Sequence, residues 1–239
     1  MTFSIVIATF QPGLSLRQTL QSIFEQTYQD FEVVIQDNLS NDKETNQIFF
    51  EYNDKISLKR EKDLGIYDAF NKALKRCKGD WIIFLGADDR LANQDVLSNI
   101  QSLAHEEASM ILGQIHNTKI TSKWIPEYFV SEMKRNIIWK NTIHQQGCFY
   151  NKSWILQLGF SEEYKVLGDY ELHLKGFIAR VQVQHTSVLI SQCDAGGVSK
   201  LFTADLYDEE LKIKKKILPA LYFWMNIPWI GFKKWLKAQ

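Results

Sequence analysis

Trp81-Ile82-Ile83-Phe84-Leu85-Gly86-Ala87-Asp88-Asp89 is the stretch on which the fold turns. Five apolar residues run into a small-residue turn, and two adjacent carboxylates follow. A continuous apolar run of this length predicts a strand buried on both faces, as in the middle of a parallel sheet. In open α/β sheets the ligand sits outside the carboxyl ends of such strands. Two acids placed there cost free energy unless something positive meets them. A divalent cation carrying a phosphorylated ligand meets that need, since Mg2+ is held by one or two carboxylates plus substrate phosphates. The plain alternative is that Asp88 caps a helix starting near Asn93.

Working back from this strand, apolar periodicity gives alternating elements. Strands are predicted at Phe3 to Thr9, Phe31 to Gln36 and Ile56 to Arg60. Helices are predicted at Leu16 to Gln26, Lys43 to Tyr52 and Ile66 to Cys77, the last ended by Gly79. Such alternation implies a mostly parallel central sheet flanked by helices. Beyond the acidic pair the pattern is less regular. Ser109 to His116 and Val181 to Ser191 read as strands, Thr118 to Trp124 as a partner of the first, and Asp169 as the opening of a helix. No linker separates the halves. The expected organisation is a catalytic domain over 1–205 (nucleotide-binding half 1–91, acceptor half 92–205), followed by a basic and aromatic segment over 206–239.

Composition narrows the function classes. The chain has 239 residues, 45% of them hydrophobic, enough for a packed α/β core. Its 28 basic and 28 acidic residues cancel, so no global charge points to nucleic acid. Cys77, Cys148 and Cys193 are odd in number and widely spaced, the pattern of buried free thiols in a reducing compartment. The N-terminus starts a strand at once and lacks the features of a signal peptide. There is neither GxGxxG after the first strand nor GxxxxGK[ST] anywhere, which disfavours a dinucleotide enzyme or a phosphate-loop NTPase.

Polar groups collect at strand ends. Thr9, Asp37 and Asp88-Asp89 would share one edge of a parallel sheet, where a hydroxyl and a carboxylate can read a base. Asp37 alone reads equally as an Asx-turn residue. Added to these, Ser4 to Phe10, Thr19 to Ile23, Gln26-Thr27-Tyr28, Phe31 to Asp42, Asp63-Leu64-Gly65-Ile66-Tyr67-Asp68-Ala69-Phe70-Asn71-Lys72-Ala73 and Gly79 to Asp89 resemble, in order and spacing, the start of family 2 of the glycosyltransferases. The GIYDAFNKA form is similar to a bacterial branch that builds cell-surface polysaccharides. The likeness covers residues 3 to about 91 and returns at His144-Gln145-Gln146 and Gly168 to Leu172.

The resemblance implies an A-type glycosyltransferase fold and inverting transfer of a sugar from a nucleotide sugar, usually a UDP-sugar, to a saccharide acceptor. Thr9 and Asp37 would contact the base, Asp63 and the Gly65 loop would lie near the nucleotide, and Asp88 would contact ribose or metal. Asp89 would coordinate Mn2+ or Mg2+ bridging the diphosphate. A third acid common in the family is Ala87 here, so the ion would need the diphosphate already in place. The QxxRW motif of processive members is absent, which implies a single-addition enzyme. Asp169, an acid at a helix start where the family places its catalytic acid, is the expected base; helix capping is its plain alternative, and Glu171 is the alternative base. His144 is a candidate contact for acceptor or diphosphate. His185, in an apolar strand, reads as structural before it reads as a metal ligand. Asp194 to Lys200 is either a loop closing over the donor or a plain turn. A non-catalytic saccharide-binding protein on the same fold is the competing function, and a nucleotidyltransferase a third.

Lysines 212, 214, 215, 216, 233, 234 and 237 flank an aromatic run from Ile217 to Phe232 that contains Pro219 and Pro228. The run is too short to span a bilayer. Basic flanks around Trp-rich apolar surface predict a segment in a membrane interface, with a packed helix as the alternative. A cytoplasmic enzyme, peripheral on the inner face of the cytoplasmic membrane, with a polyprenyl-diphosphate-linked acceptor and no nucleic-acid partner, is the resulting expectation.

Overall fold

A computed structural model describes residues 1–105, 107–120, 122–194 and 203–237. Strands β1 (Phe3–Thr9), β2 (Phe31–Asp37), β3 (Ser57–Arg60) and β4 (Trp81–Leu85) lie side by side in the order β3-β2-β1-β4, all parallel. Helices α1 (Ser15–Phe24), α2 (Lys43–Glu51) and α3 (Ile66–Leu74) make the crossovers that parallel strands require. All five residues of β4 are buried. Alternation explains the unbroken apolar run: Ile82 and Phe84 face one core, with Val6, Val34 and α3, while Ile83 and Leu85 face the other, with Ile5, Ile7 and α1.

The second half extends the same sheet with mixed polarity. β6 (Met110–Thr118), β8 (Cys148–Asn151) and β9 (Val183–Asp194) follow β4 in the order β4-β8-β6-β9, and β5 (Arg90–Leu91) closes the edge against β9. β8 runs antiparallel to β4 and β6, and β9 parallel to β6. Helices α4 (Val96–Leu103), α5 (Lys152–Leu158) and α6 (Gly168–Ile178) pack on the two faces. The partner of β6 is β7 (Tyr128–Val130), not Thr118 to Trp124. Lys119 adopts φ +49 and turns the chain out of the sheet. Pairing resumes only where Asn117 donates its amide to the Glu127 carbonyl at 2.7 Å.

Two further helices, α7 (Ala204–Ile217) and α8 (Ala220–Lys237), cover the α3/α6 side. Leu206, Tyr207, Ile213, Leu218 and Ile230 enter its core. Lys214, one of the lysines flanking the aromatic run, is fully buried. Its ammonium donates to Glu210 Oε1 (2.6 Å), Asn226 Oδ1 (2.8 Å) and the Trp139 carbonyl (3.0 Å). Lys233 binds the same carboxylate at 2.6 Å, and the Trp229 indole reaches the same carbonyl at 3.1 Å. Burial pushes the Lys214 ammonium down to about 8, against the pull of Glu210. Leu221 and Trp224 on the outer side of α8 are 69% and 67% exposed, and no helix among the described residues is long and apolar enough to cross a membrane.

Removing one partner of a buried ion pair leaves an uncompensated charge, at a cost of about 3–5 kcal/mol. Glu210→Ala should lose stability of that order in urea denaturation, and Lys216→Ala, whose ammonium is exposed, should lose less than about 1 kcal/mol.

Candidate functional site

Parallel register sets Thr9 beside Asp37 at the carboxyl ends of β1 and β2. Asp37 is fully buried. Its carboxylate accepts the Ser40 amide at 2.9 Å and the Ser40 hydroxyl, and is paired with the Arg60 guanidinium at 3.0 Å. The turn role and a strand-end position therefore coexist, and a carboxylate with about four lone-pair sites retains capacity for a ligand. Among the described residues nothing pairs with the Thr9 hydroxyl, although its oxygen is buried. An orphaned donor of this kind costs free energy unless a ligand meets it.

Asp63 approaches from the loop after β3. Its amide donates to Asn38 Oδ1 at 3.1 Å, and its carboxylate accepts the Gly65 amide at 3.1 Å. Burial, with the nearby charges of Asp68 and Asp37, raises its pKa against the Gly65 bond. Gly65 has φ +135, a backbone conformation that L side chains rarely adopt, which accounts for glycine there.

The Gly86-Asp89 turn closes β4. The Asp89 amide donates to the Gly86 carbonyl at 3.2 Å, and Asp89 Oδ2 accepts the Gly86 amide at 2.8 Å. A Cβ on Gly86 would stand 2.7 Å from Asp89 Oδ2 and 2.9 Å from Asp88 Oδ1. Both carboxylates thus lean over one glycine, Asp89 buried and Asp88 exposed. That arrangement fits a divalent cation bound through two carboxylates and a diphosphate. No cluster of three acids, histidines or cysteines capable of holding an ion occurs among the described residues. Asp88 caps no helix: α4 begins eight residues later, at Val96 with Asp95 as its N-cap residue.

Asp169 sits in the first turn of α6, partly buried. The N-cap residue is Leu167, with no side-chain cap bond, so Asp169 does not serve as the N-cap. Its Oδ1 lies 3.2 Å from the Tyr67 hydroxyl and its Oδ2 3.5 Å from Asn141 Nδ2. The single Tyr67 proton is shared with the Val166 carbonyl at 2.7 Å. Burial lifts the carboxyl to about 6, against weak help from the Tyr170 amide and Tyr67. A carboxylate that basic and that lightly solvated can take a proton near neutral pH.

The remaining candidates separate. His144, partly buried ahead of a 3-10 turn, stacks edge-on with Phe129 at 5.9 Å and lies close enough to His173 of α6 to lower its pKa. His173 is fully buried, 2.7 Å from the Tyr150 hydroxyl, and burial pushes it down to about 3. Glu171, the alternative base, is fully buried with Lys175 at 2.7 Å. His185 accepts the Met133 amide at 3.2 Å, the structural role. Of the loop from Asp194 to Lys200 only Asp194 lies within the described residues, paired with Lys119 at 2.8 Å. Sequence reading missed Arg60, Tyr67 and Asn141. A cation at the end of β3 facing Asp37 was the available signal for the first; the other two arise only from tertiary contact.

Comparison with known proteins follows the same lines. A curated relative from Mycobacterium bovis, "PGL/p-HBAD biosynthesis glycosyltransferase", is 29% identical over 205 residues, 82% of this chain and 78% of that one. The poly(ribitol-phosphate) beta-N-acetylglucosaminyltransferase TarS of Staphylococcus aureus is 28% identical over 138 residues, 55% of this chain and 24% of that one. A crystal structure of S. aureus TarS in complex with UDP-GlcNAc superposes with TM-score 0.70 at 22% identity, over 90% of this chain and 65% of that one. A Pyrobaculum calidifontis mannosyltransferase in complex with GDP-Man and Mn2+ gives TM-score 0.64 at 16% identity, over 98% and 69%. At these identities the two structures establish the fold, the α/β A-type glycosyltransferase architecture. Residues 4–158 match the sequence profile "Glycosyl transferase family 2", which is most of the described sheet and the whole strand-end cluster, and the chain belongs to that family.

Proposed function

We propose that this glycosyltransferase moves a hexose from a UDP-sugar to a saccharide hydroxyl with inversion at the anomeric carbon, Asp169 acting as the base. The observation that carries the reading is the pair of unlike carboxylate sites. Asp88 and Asp89 share one glycine at the end of β4, while Asp169, lifted to about 6, stands apart at the start of α6. The two sites match the two needs of inverting transfer, a stabilised leaving diphosphate and a base for the acceptor hydroxyl.

In this reading Thr9 gives its buried hydroxyl to the uracil, and Asp37, fixed by Ser40 and Arg60, presents its one remaining acceptor site there. Asp63 and the Gly65 loop flank the nucleotide, and Asp88 reaches the ribose or the metal. Asp88 and Asp89 would hold a Mn2+ or Mg2+ ion whose charge offsets that of the leaving diphosphate. Tyr67 and Asn141 orient the Asp169 carboxylate. The acceptor oxygen loses its proton to Asp169 as it bonds to the anomeric carbon, and the bond from that carbon to the diphosphate oxygen breaks with UDP leaving. His144 lines the acceptor or diphosphate side. The UDP-GlcNAc complex of the staphylococcal neighbour supports UDP as the nucleotide, and the Mn2+ of the archaeal neighbour supports a divalent ion.

The exposed side of α8 presents Leu221, Trp224, Met225, Phe232 and Trp235, and the helix contains no acid. Lys212, Lys215 and Lys234 flank it, exposed. An aromatic, cationic face of this kind supports peripheral binding to an anionic cytoplasmic membrane surface, with the acceptor carried on a polyprenyl diphosphate.

Asp169→Asn should lower kcat by about 10²–10⁴-fold and leave the UDP-induced rise in melting temperature intact. At pH 8 its melting temperature should equal or exceed that of the wild type, because a carboxylate whose folded pKa is raised costs stability above that pKa. Turnover should fall as pH drops through about 6, as Asp169 gains its proton. Wild-type turnover in Asp169→Asn, followed by UDP release, would remove the base assignment. Asp89→Ala should abolish the Mn2+-dependent part of the UDP shift and Thr9→Val should weaken UDP in the same assay; unchanged shifts in both would refute the donor site. Leu221→Glu/Trp224→Glu/Trp235→Glu should release the protein from phosphatidylglycerol vesicles in a sedimentation assay, and retention of all three on the pellet would rule out α8 as the membrane face.

A further inference from the structure

Helix α6 starts without a cap of its own. Leu167 occupies the N-cap position, and an apolar side chain cannot accept the free amides of a helix start. Of the amides at this helix start, that of Leu167 is met from α7, by a carboxylate that also holds the two amides leading into the helix. Glu209 Oε1 takes the Lys165 amide at 2.7 Å, and Oε2 takes the Val166 and Leu167 amides, each at 3.0 Å. Three consecutive amides thus converge on one carboxylate that is 42 residues away from Leu167 in sequence. An anion at a helix N-terminus is favoured both by these bonds and by the helix dipole.

The same strand of contacts leads to the reacting end of the molecule. Val166, whose amide Glu209 holds, gives its carbonyl to the Tyr67 hydroxyl at 2.7 Å, and that hydroxyl lies 3.2 Å from Asp169 Oδ1. The preceding loop is gripped from both sides. Asn71 of α3 exchanges bonds with the Phe160 backbone at 2.9 Å, and Lys216 of α7 pairs with Glu163 at 2.8 Å. A Cβ on Gly168 would stand 2.7 Å from the Tyr67 ring, so the segment has no slack in which to shift.

We propose that Glu209 is a positioning residue for the acceptor-side carboxylate: by capping Lys165-Val166-Leu167 from α7, it fixes the start of α6 and, through the Val166–Tyr67 bond, the direction in which Asp169 points. The proposal rests on the base reading of Asp169. Glu209 touches neither donor nor acceptor in this scheme. Its loss therefore acts on the catalytic step and not on nucleotide binding, since a misplacement of about 1 Å can cost up to ~10²-fold in rate.

The test uses the full chain with Glu209→Ala and Glu209→Gln, beside Asp169→Asn. Glu209→Ala should lower kcat by at least ~10-fold while KM for the UDP-sugar stays within about twofold, and amides 165–167 should exchange faster with deuterium. Glu209→Gln keeps one carbonyl acceptor and should recover part of kcat and of the protection. Wild-type kcat in Glu209→Ala, or unchanged exchange at 165–167, overturns the proposal. So does loss of UDP binding and of melting temperature in parallel with kcat, which marks a general packing role. If Glu209→Ala does not fold, the comparison is made on Glu209→Gln alone, with the same split between kcat and KM required. Full activity in Asp169→Asn together with faster exchange in Glu209→Ala would remove the base reading and leave the clamp standing, so the two failures are distinguishable.

Discussion

Parallel pairing of β1 with β2 and with β4 is the constraint on which the site depends. Register puts Thr9 opposite Asp37, and Ile7 opposite Leu85, so that the Gly86 turn emerges on the same edge. No side chain has to reach far. The polar groups are delivered by the ends of buried strands whose parallel register brings those ends level. The acids tolerate this placement because the backbone and neighbouring side chains meet them first. The Gly86 amide meets Asp89, and Ser40 with Arg60 meets Asp37.

At the start of α6 the protein treats a carboxylate differently. Asp169 receives backbone amides of its own helix turn, one long contact from Asn141 and a share of the Tyr67 proton, yet burial outweighs them and raises its affinity for a proton. The contrast is one of solvation. Where donors are plentiful and the charge is paired it is held; where burial outweighs the donors the proton affinity rises.

The nucleotide half was legible because its signals are local. β4 spans the apolar run that announced it, and Thr9, Asp37 and Asp88-Asp89 fall on one sheet edge as alternation implied. The second half was less so. The pairing of β7 with β6 depends on a turn at Lys119 that no sequence period records, and Tyr67 and Asn141 meet Asp169 across 102 and 28 residues of chain. The tail was half-read. Its aromatic face is exposed, as a basic and Trp-rich run implies, but Lys214 lies inside, because Glu210, Asn226 and the Trp139 carbonyl together replace the water it gives up.

The pairing of His173 with Tyr150 behind α6 bears on how the fold responds to pH. His173 is held down at about 3, while burial drives the Tyr150, Tyr67 and Cys148 protons well above their ordinary range. None of these groups changes charge near neutrality, so the packing behind α6 stays electrostatically constant over the pH range in which Asp169 titrates.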